Sequence, residues 1–572
     1  KYMVENSLGR LWLEYGRRGM AHGNDGDDLR RKWTYYIDEA EQEPEVVQQL
    51  EQLRTSNHIA DPTQIKIIDP CIGSGHILVY AFDVLYQIYV EQGYAERDIP
   101  DLIINHNIYG LDIDERACQL AYFALMMKAR SYNRRFFRRE NPEDVPQPQV
   151  YSPQGYDEGM EYGSLVRVDE LEERPVEKEV IKLFDVPYEV KLNTWNFRRL
   201  LHQKYDVVVT NPPYMGASGM GKKLADYVKK YYPDSKADMF AVFIEKCGEM
   251  LKPAGYQAMI TQHAWMFLSS YEKLRAKLMR RSIINMAHLG ARAFEEIGGE
   301  VVQTTAFVMA KQNLSDYVAT YVRLVDFKSQ QAKEDVFLST RNRYKVRQEI
   351  YSFISGQVIA YWMPSNVLEL FRICPKLGEY YNARVGLMTT DNDRFLRYFW
   401  EVDNNQICLN SESDLEAKQS QKRWFPHNKG GAYRKWAGNY EYIVDWEDSG
   451  RRIKQTAIEK YPYLKGNPNF VVHDDGYYFR ENISWSEIAA GNLAFRYFPK
   501  GFTFNVKGMS AFKIDKEWSL ETLLGFANSK PFSFIANSIN PSMSFGVNSF
   551  NSIPIAFQED TNTISIVQKC IS

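Results

Sequence analysis

Hydrophobic and polar positions follow two patterns in the central part of this chain. Between residues 65 and 312, short apolar runs alternate with segments of helical periodicity. The apolar runs predict strands at residues 66–70, 107–112, 205–210, 256–267, 283–290 and 301–310. The periodic segments predict helices at residues 77–90, 115–129 and 238–251. This alternation is typical of an α/β protein with a doubly wound parallel sheet. The last two apolar runs are close together in sequence, so we expect them to form a hairpin that adds an antiparallel strand at the end of the sheet.

The segments on either side of this block have a different texture. Residues 1–13 show helical periodicity, and the Pro-rich, polar residues 141–159 predict an insertion loop. Beyond residue 321, short strands are separated by turns rich in Gly, Asn and Pro, and aromatic side chains are interleaved with basic ones. We therefore expect a helical N-terminal part (residues 1–60), a central domain (61–320) and a second domain (345–572). Because the helical pattern already covers Lys1 and no stop signal closes the chain at Ser572, we also expect both ends to be cut from a longer protein.

The composition indicates a globular protein without strong electrostatic bias. Hydrophobic residues make up 44% of the 572 residues and the formal net charge is −3, which excludes global disorder and leaves nucleic-acid binding open. The 38 tyrosines, 31 phenylalanines and 11 tryptophans suit both packed cores and base stacking. Six cysteines without paired spacing favour a reducing cytoplasm over structural zinc or disulfides. We recognise no signal peptide and no apolar run near the ~18 residues of a membrane helix, so we expect a cytoplasmic protein without membrane contact.

A motif of four residues ends the strand predicted at residues 205–210. It consists of Asn211, Pro212, Pro213 and Tyr214, and it lies at the carboxyl end of a strand, where open α/β sheets place their ligands. An amide, two rigid prolines and an aromatic ring suit the binding of a planar base that carries an amino group, as in methyl transfer to adenine N6. The alternative is an ordinary turn at the end of a strand.

A glycine-containing turn follows the first predicted strand and opens a helix. It runs from Asp69 to Gly75 with the sequence Asp-Pro-Cys-Ile-Gly-Ser-Gly. Gly73 and Gly75 allow close backbone approach, the helix start attracts a carboxylate, and Asp69 can bind an ammonium group. S-adenosylmethionine carries both groups, whereas the spacing of an NAD or FAD fingerprint is absent.

A second acidic residue completes the predicted cofactor site. Asp112 ends the next strand, where it can accept hydrogen bonds from two ribose hydroxyls, and Asp114 is the second choice. Short glycine turns and strand-end aspartates are each common, but their order before Asn211 is restrictive. The predicted lining residues are Asp69, Pro70, Cys71, Gly73, Gly75, Asp112 and Ile113.

These residue types predict a reaction without a metal or a covalent enzyme intermediate. The lone pair of the exocyclic adenine nitrogen is delocalised into the ring, so the nitrogen is a poor nucleophile. If the Asn211 side-chain oxygen and the Pro212 carbonyl accept its two hydrogens, the nitrogen can pyramidalise toward the methyl sulfonium. Tyr214 would stack on the base, which must leave the duplex to reach this pocket.

With these motifs in their order, residues 1–311 resemble the γ-class N6-adenine DNA methyltransferases. The resemblance is stronger to the PglX (BrxX) family of BREX phage-defence systems. The resembling stretches are residues 211–240 (NPPYMGASGMGKKLADYVKKYYPDSKADMF), 290–307 (GARAFEEIGGEVVQTTAF), 386–397 (GLMTTDNDRFLR) and 423–438 (RWFPHNKGGAYRKWAG). They extend the resemblance over nearly the whole chain.

The resemblance implies a Rossmann-like class I SAM-dependent methyltransferase sheet with a C-terminal α+β target-recognition domain. It also implies sequence-specific methylation of double-stranded host DNA, within a system that contains other BREX proteins. Two features depart from the family. Its Thr-Pro element would lie before Lys1, and its third motif, at residues 162–165, lacks the usual acidic residue, so only Ser164 is carried over to the cofactor site.

Basic residues near these motifs are candidates for DNA contact. After the catalytic motif these are Lys222 and Lys223, for which a charged helix face is an equal alternative. In the second domain they are Arg394, Arg423, Lys429, Arg434 and Lys435, which are mixed with aromatic side chains. The five arginines within residues 130–139 fit a solvated helix end slightly better than a phosphate clamp, and the apolar residues within 520–555 are expected in the core.

Three other functions remain open at this stage. A fused restriction-modification enzyme would cleave DNA with Mg²⁺, which a cleavage assay on the full-length protein would detect. A non-catalytic DNA-binding defence factor would not need the intact motif at Asn211. A protein-glutamine methyltransferase uses the same motif, but the large aromatic and basic second domain favours DNA.

Overall fold

The computed structural model describes residues 1–16, 25–177, 186–293, 302–473, 475–488, 493–514, 518–540, 544–556 and 561–572. The resembling stretch at residues 290–307 lies partly outside the described residues. By its internal contacts the chain forms two compact units, Lys1–Ile350 and Tyr351–Ser572. No helix in the described ranges is both long and apolar enough to cross a membrane.

The first unit contains one large sheet. Its strands within the described ranges are β1 (Ile67–Asp69), β2 (Ile108–Leu111), β3 (Gln149–Tyr151), β4 (Tyr205–Thr210), β5 (Leu251–Gln262), β6 (Ser282–Gly290), β7 (Thr304–Ala310), β8 (Val318–Arg323) and β9 (Arg343–Arg347). The strand order is β3-β2-β1-β4-β5-β7-β6-β8-β9. The pairs from β3 to β5 are parallel, and β7 is antiparallel to both β5 and β6. The expected α/β sheet with an antiparallel closing strand is confirmed.

The helices of the first unit cover this sheet. They are α1 (Tyr2–Val4), α2 (Asp25–Lys32), α3 (Pro44–Ser56), α4 (His76–Glu91), α5 (Ile99–Leu102), α6 (Glu115–Tyr132), α7 (Asp157–Tyr162), α8 (Tyr188–His202), α9 (Lys222–Tyr231), α10 (Met239–Glu249), α11 (Glu272–Leu278) and α12 (Gln330–Leu338). Every residue of β1, β2 and β4 is buried, so both faces of the sheet centre are covered, as the continuous apolar runs indicate.

The N-terminal helical part belongs to this unit. Helix α1 continues into the π-helical segments Glu5–Gly9 and Trp12–Gly16. The Tyr2 hydroxyl donates to Asn285 Oδ1 on β6 (2.6 Å), and the buried Trp12 donates its indole N–H to Glu91 at the end of α4 (2.8 Å). These two hydrogen bonds hold the N-terminal segment against strand β6 and helix α4.

Three details of the predicted elements are wrong. The segment at residues 141–159 is not only an insertion loop: it contains β3 and the start of α7, because a three-residue strand between prolines gives no periodic signal. Residue 320 lies inside β8, so the sheet continues past the expected domain end through β9. Strand β5 ends at Gln262, and His263–Met266 form a 3-10 turn where the apolar run had predicted more strand.

The second unit has an α+β architecture. Its strands are β10 (Tyr381–Arg384), β11 (Leu396–Tyr398), β12 (Trp424–Asn428), β13 (Tyr442–Asp445), β14 (Asn482–Ser486), β15 (Phe495–Phe498), β16 (Thr503–Phe504) and β17 (Gly508–Lys513). They form two four-stranded sheets within the described residues, β10-β17-β14-β15 and β11-β13-β12-β16. The helices are α13 (Ser365–Ile373), α14 (Leu377–Tyr380), α15 (Asn392–Phe395), α16 (Asp414–Gln419), α17 (Glu447–Lys460), α18 (Leu520–Ala527), α19 (Lys530–Ile539), α20 (Val547–Asn551) and α21 (Thr561–Ile571).

Aromatic side chains fill the core of the second unit. Phe425 on β12, Trp446 after β13 and Phe504 on β16 belong to one buried cluster. Trp485 on β14 stacks on Phe550 of α20 with ring centroids 4.8 Å apart. The aromatic richness of the sequence is thus used in part for packing, and the buried leucines of α18 show the same for the apolar residues within 520–555.

Candidate active site

Three adjacent parallel strands bring the two predicted motifs together. Strand β1 pairs with β2 on one side and with β4 on the other. Asp69 is the last residue of β1, Asp112 follows β2, and Asn211 follows β4. Since parallel strands end at the same edge of a sheet, all three side chains lie at one edge.

Asp69 is a buried carboxyl group with one free oxygen. Its Oδ1 accepts hydrogen bonds from the Thr210 hydroxyl (2.6 Å) and from the backbone N–H of Cys71 (3.0 Å). Its Oδ2 has no hydrogen-bond partner among the described residues. Burial raises the pKa of Asp69 from 3.8 to about 7. A buried acceptor without a partner is the group that a bound ammonium would satisfy.

The turn after β1 contains two glycines with left-handed backbone conformations and different surroundings. Gly73 has a φ of +53° and donates its N–H to Asp112 Oδ2 (2.9 Å), and a Cβ added to it would meet nothing within 4 Å. Gly75 has a φ of +83° and precedes α4, and a Cβ there would lie 3.1 Å from the Ala121 Cα of α6. One glycine therefore faces open space, and the other lets two helices pack closely.

This contrast predicts unequal effects of two similar substitutions. Gly73→Ala should lower the free energy of unfolding by about 1–2 kcal/mol, the strain of a left-handed residue with a Cβ. Gly75→Ala should lower it by more, because the same strain adds to a clash with backbone that cannot move aside. Urea unfolding of both variants tests this order, and equal losses would contradict it.

Asp112 and Ile113 form the other side of the turn. The Asp112 carboxylate accepts the N–H groups of Gly73 and of Asp114 (3.0 Å), which fixes its position at the sheet edge. The Ile113 side chain is 53% exposed, so it leaves an apolar surface open beside the end of β2. Asp114 caps α6 through the Arg116 N–H (2.9 Å), which explains why it is the weaker candidate for ligand contact.

Ser164 contacts the backbone of the glycine turn that follows β1. It is buried, and its hydroxyl donates to the Pro70 carbonyl (2.6 Å). The adjoining segment is held by Tyr227 of α9, whose hydroxyl donates to the Leu165 carbonyl (3.1 Å) and whose ring stacks on Tyr162 at 4.1 Å. Direct cofactor contact by Ser164 stays a prediction, since its hydroxyl hydrogen is already donated.

The motif after β4 presents an amide to solvent. The Asn211 side chain is exposed and makes no hydrogen bond to any described residue, and Pro212 is buried behind it. Pro213 is exposed as well. Tyr214 is half-buried: its hydroxyl donates to the Ile260 carbonyl of β5 (3.3 Å), and its ring meets Phe240 edge-on at 6.0 Å. The turn thus holds a fixed ring beside a free amide.

Thr210 and Asp238 are site residues that the motif search missed. Thr210 connects the two halves of the site, because it precedes Asn211 and donates its hydroxyl to Asp69. Asp238 caps α10 and also accepts the backbone N–H of Met215 (3.0 Å), next to Tyr214. An aspartate directly before an amphipathic helix is an N-cap signal, so Asp238 could have been found from the sequence.

The basic residues near the motif are only lightly paired. Lys222 and Lys223 begin α9 and are exposed, with Lys223 3.6 Å from Glu161. The arginine-rich segment at residues 130–139 begins in the last turn of α6 and continues beyond it, and Arg139 pairs with Asp101 at 2.6 Å. Helix α6 begins beside Asp112 and is 18 residues long, so this segment lies about 27 Å from the site along the helix axis.

The predicted DNA contacts of the second unit differ in availability. Arg423 pairs with the buried Asp445 (2.9 Å), and Lys435 donates to the Asn528 carbonyl (2.8 Å). Exposed Arg394 reaches Thr456 (3.4 Å), exposed Arg434 reaches Glu441 (3.4 Å), and the Lys429 ammonium lies 4.5 Å from the Tyr442 ring centroid. Their contact with DNA stays a prediction, and internal partners already hold Arg423 and Lys435.

Two protein families and several known proteins are similar to this chain. Two families match the first unit: one described as Eco57I restriction-modification methylase over residues 106–294, the other as N-6 DNA Methylase over residues 46–152. An adenine-specific methyltransferase PglX of Lacticaseibacillus casei is 39% identical over 100% of this chain, and BrxX of Escherichia coli is 35% identical over 97%. The chain belongs to the PglX/BrxX family.

The family relationship covers only part of those relatives. The chain spans about half of their length, 50% of PglX and 48% of BrxX. Among solved structures, a nuclease-deletion mutant of the Type ISP restriction-modification enzyme LlaGI has a TM-score of 0.51 at 12% identity, over 97% of this chain and 49% of that one. This likeness concerns the fold alone. The Rossmann-like class I methyltransferase sheet predicted for the first unit is supported by its own strand order and by the N-6 DNA Methylase family.

Proposed function

We propose that this chain transfers a methyl group from S-adenosylmethionine to adenine N6 in double-stranded DNA. The observation that carries the proposal is the pairing of β1 with β4, which places the free oxygen of Asp69 and the free amide of Asn211 at one sheet edge. A cofactor cation and an amino-bearing base can then be held side by side. The PglX and BrxX relatives, which are named adenine-specific methyltransferases, support this assignment.

The residues at β1 and β2 fit the cofactor. The unpaired Oδ2 of Asp69 would accept from its ammonium group, and the open backbone at Gly73 leads to the start of α4, where free N–H groups attract its carboxylate. Asp112 stands where ribose hydroxyls would donate, and the exposed Ile113 offers an apolar surface to the adenine ring. When bound, the cofactor supplies an electrophilic methyl group on a sulfonium.

The residues after β4 fit the base. The Asn211 oxygen and the Pro212 carbonyl accept the two hydrogens of the exocyclic nitrogen, which localises its lone pair toward the methyl donor. Tyr214, fixed by Ile260 and Phe240, stacks on the ring of an adenine flipped out of the duplex. Catalysis consists of positioning and of hydrogen bonds that strengthen as the nitrogen becomes positive. The methylated nitrogen would then release one of its two protons to water, and the cofactor would leave as a neutral thioether.

At the level of the organism, the proposed reaction marks host DNA at one short sequence within a BREX phage-resistance system. The second unit would read that sequence, and other BREX proteins would be partners. The PglX and BrxX relatives support this role by their similarity over nearly the whole chain.

Base-modification sequencing tests the function directly. DNA from cells that carry the full-length gene with its neighbouring genes should contain N6-methyladenine at one short motif, and DNA from cells without them should not. If both DNAs show the same modification pattern, the proposed reaction is wrong, and a DNA-binding factor without activity becomes the better interpretation.

A further inference from the structure

Three aromatic rings form a continuous stack on the surface of the second unit. Tyr442 on β13 stacks on Tyr398 at the end of β11 with centroids 4.8 Å apart, and Tyr398 stacks on Trp400 at 4.6 Å with ring planes only 6° apart. We call Tyr442, Tyr398 and Trp400 the aromatic ladder. Phe399 meets Trp400 edge-on at 5.0 Å beside it.

Local bonds hold the ladder in place. Tyr398 and Tyr442 face each other in the antiparallel pair of β11 and β13, and their hydroxyls are 3.1 Å apart. The Tyr398 N–H donates to the Glu401 carboxylate (2.8 Å), and the Phe399 N–H donates to the Glu441 carbonyl (3.0 Å). The stack is therefore ordered without a ligand, so a ligand that binds it meets little entropic cost.

The outer end of the ladder is open to solvent. Exposure rises along it, from the half-buried Tyr442 through Tyr398 at 36% to Trp400 at 60%. Phe399 is 49% exposed. Other aromatic rings of this unit fill its core or, like Phe534, are exposed elsewhere on it, whereas the ladder is a run of adjacent rings stacked on one another at the surface, which needs another explanation.

A lysine lies at the inner end of the ladder, and the two acidic side chains beside the ladder already have partners. The Lys429 ammonium caps the inner end, 4.5 Å from the Tyr442 centroid. Of the two acidic side chains beside the ladder, Glu401 is held by the Tyr398 N–H, and Glu441 pairs with Arg434 at 3.4 Å. Stacked rings plus a lysine are the combination that binds bases by stacking and phosphates by charge.

We propose that the open face of Trp400 stacks on an unstacked nucleobase of the bound DNA, with Lys429 near its backbone. This rests on the proposed function and adds a stacking contact at Trp400 to the contact with DNA that the sequence already predicts for Lys429. Bases inside a regular duplex do not expose their faces. The ladder therefore binds either a base at an unstacked base-pair step or the base left unpaired opposite the flipped adenine.

Steady-state methylation kinetics on the full chain test the ladder. Trp400→Ala should raise the KM for DNA by roughly ten-fold or more, the loss expected when one base–aromatic stack is removed. The KM for S-adenosylmethionine and the melting temperature should stay unchanged, because Trp400 is exposed and lies outside the first unit. Trp400→Phe should restore most of the affinity, since it keeps a π face.

A matched control and a direct readout separate stacking from a general surface effect. Phe534→Ala removes another exposed aromatic side chain of the same unit, 45% exposed on α19, and should leave the KM for DNA unchanged. Duplexes with 5-iodouracil placed across the target site should crosslink to Trp400 on irradiation, as located by mass spectrometry of the digested chain.

The outcomes distinguish this proposal from the proposed function. If wild-type chain methylates DNA but Trp400→Ala leaves the KM for DNA unchanged and no crosslink reaches the ladder, the ladder proposal is wrong and the function stands. A surface for a partner protein would then be indicated. If the full-length protein neither binds nor methylates DNA, both proposals fail.

Discussion

Asn211→Ala is expected to abolish methyl transfer while leaving cofactor binding nearly intact. The Asn211 amide has no structural partner among the described residues, so its loss should not disturb the fold. It supplies one of the two acceptors that bind the exocyclic nitrogen, and removal of a single preorganised group of this kind lowers kcat by about 10²–10³-fold or more. Radiolabelled methyl transfer and calorimetric titration of S-adenosylmethionine measure the two effects separately.

A control asparagine defines what this result means. Asn366 is also exposed, and its side chain accepts the N–H of the adjacent Val367 (3.0 Å) and no other hydrogen bond from a described residue, so Asn366→Ala should keep full activity. An Asn211→Ala protein that methylates DNA at the wild-type rate would refute the catalytic assignment. A variant that loses cofactor binding together with activity would indicate a folding defect instead, which thermal unfolding would reveal.

Asp69→Asn is expected to weaken S-adenosylmethionine binding by about 10- to 100-fold, the value of a buried hydrogen bond to a charged group. The amide keeps an oxygen for the Thr210 and Cys71 donors, but it no longer offers a negative charge to the ammonium group. Asp114→Asn is the matched control, because Asp114 caps α6 outside the proposed contact and asparagine is an equally good cap. Equal affinities of the two variants would contradict the role of Asp69.

The same variant tests the raised pKa of Asp69. A carboxyl group whose pKa rises from 3.8 to about 7 on folding contributes stability that is present below pH 3.8 and is lost as the pH rises through 7. Without cofactor, Asp69→Asn should therefore be more stable than wild type above pH 7. Thermal unfolding at several pH values measures this, and a less stable variant at high pH would contradict it.

Cofactor affinity should follow the opposite direction. The ammonium group binds the ionised form of Asp69, so below about pH 7 cofactor binding must first release a proton from this carboxyl group. The Kd of the wild-type protein should therefore rise by up to about ten-fold for each pH unit that the pH falls below about 7. The Kd of Asp69→Asn should lack this component. Titrations of both proteins across this range compare the slopes, and parallel curves would show that Asp69 does not titrate in the site.

The sequence by itself determined the order of elements and the chemistry at their ends. The uninterrupted apolar runs of β1, β2 and β4 predicted buried parallel strands, and Asp69, Asp112 and Asn211 stood at their carboxyl ends. These features can be recognised locally, because a buried strand and a glycine turn each depend on the pattern of a few consecutive residues. The short strand β3 was missed, since three residues carry too little periodicity to be recognised.

Only the tertiary structure decided which of these residues are free to act. The free oxygen of Asp69 depends on Thr210, 141 positions away, which occupies the other oxygen. The internal partners of Arg423 and Lys435, and the ladder that joins Tyr398 to Tyr442 across paired strands, are equally non-local. Hydrogen bonds and ring contacts between distant segments form only after the chain has folded, so no window of sequence contains them.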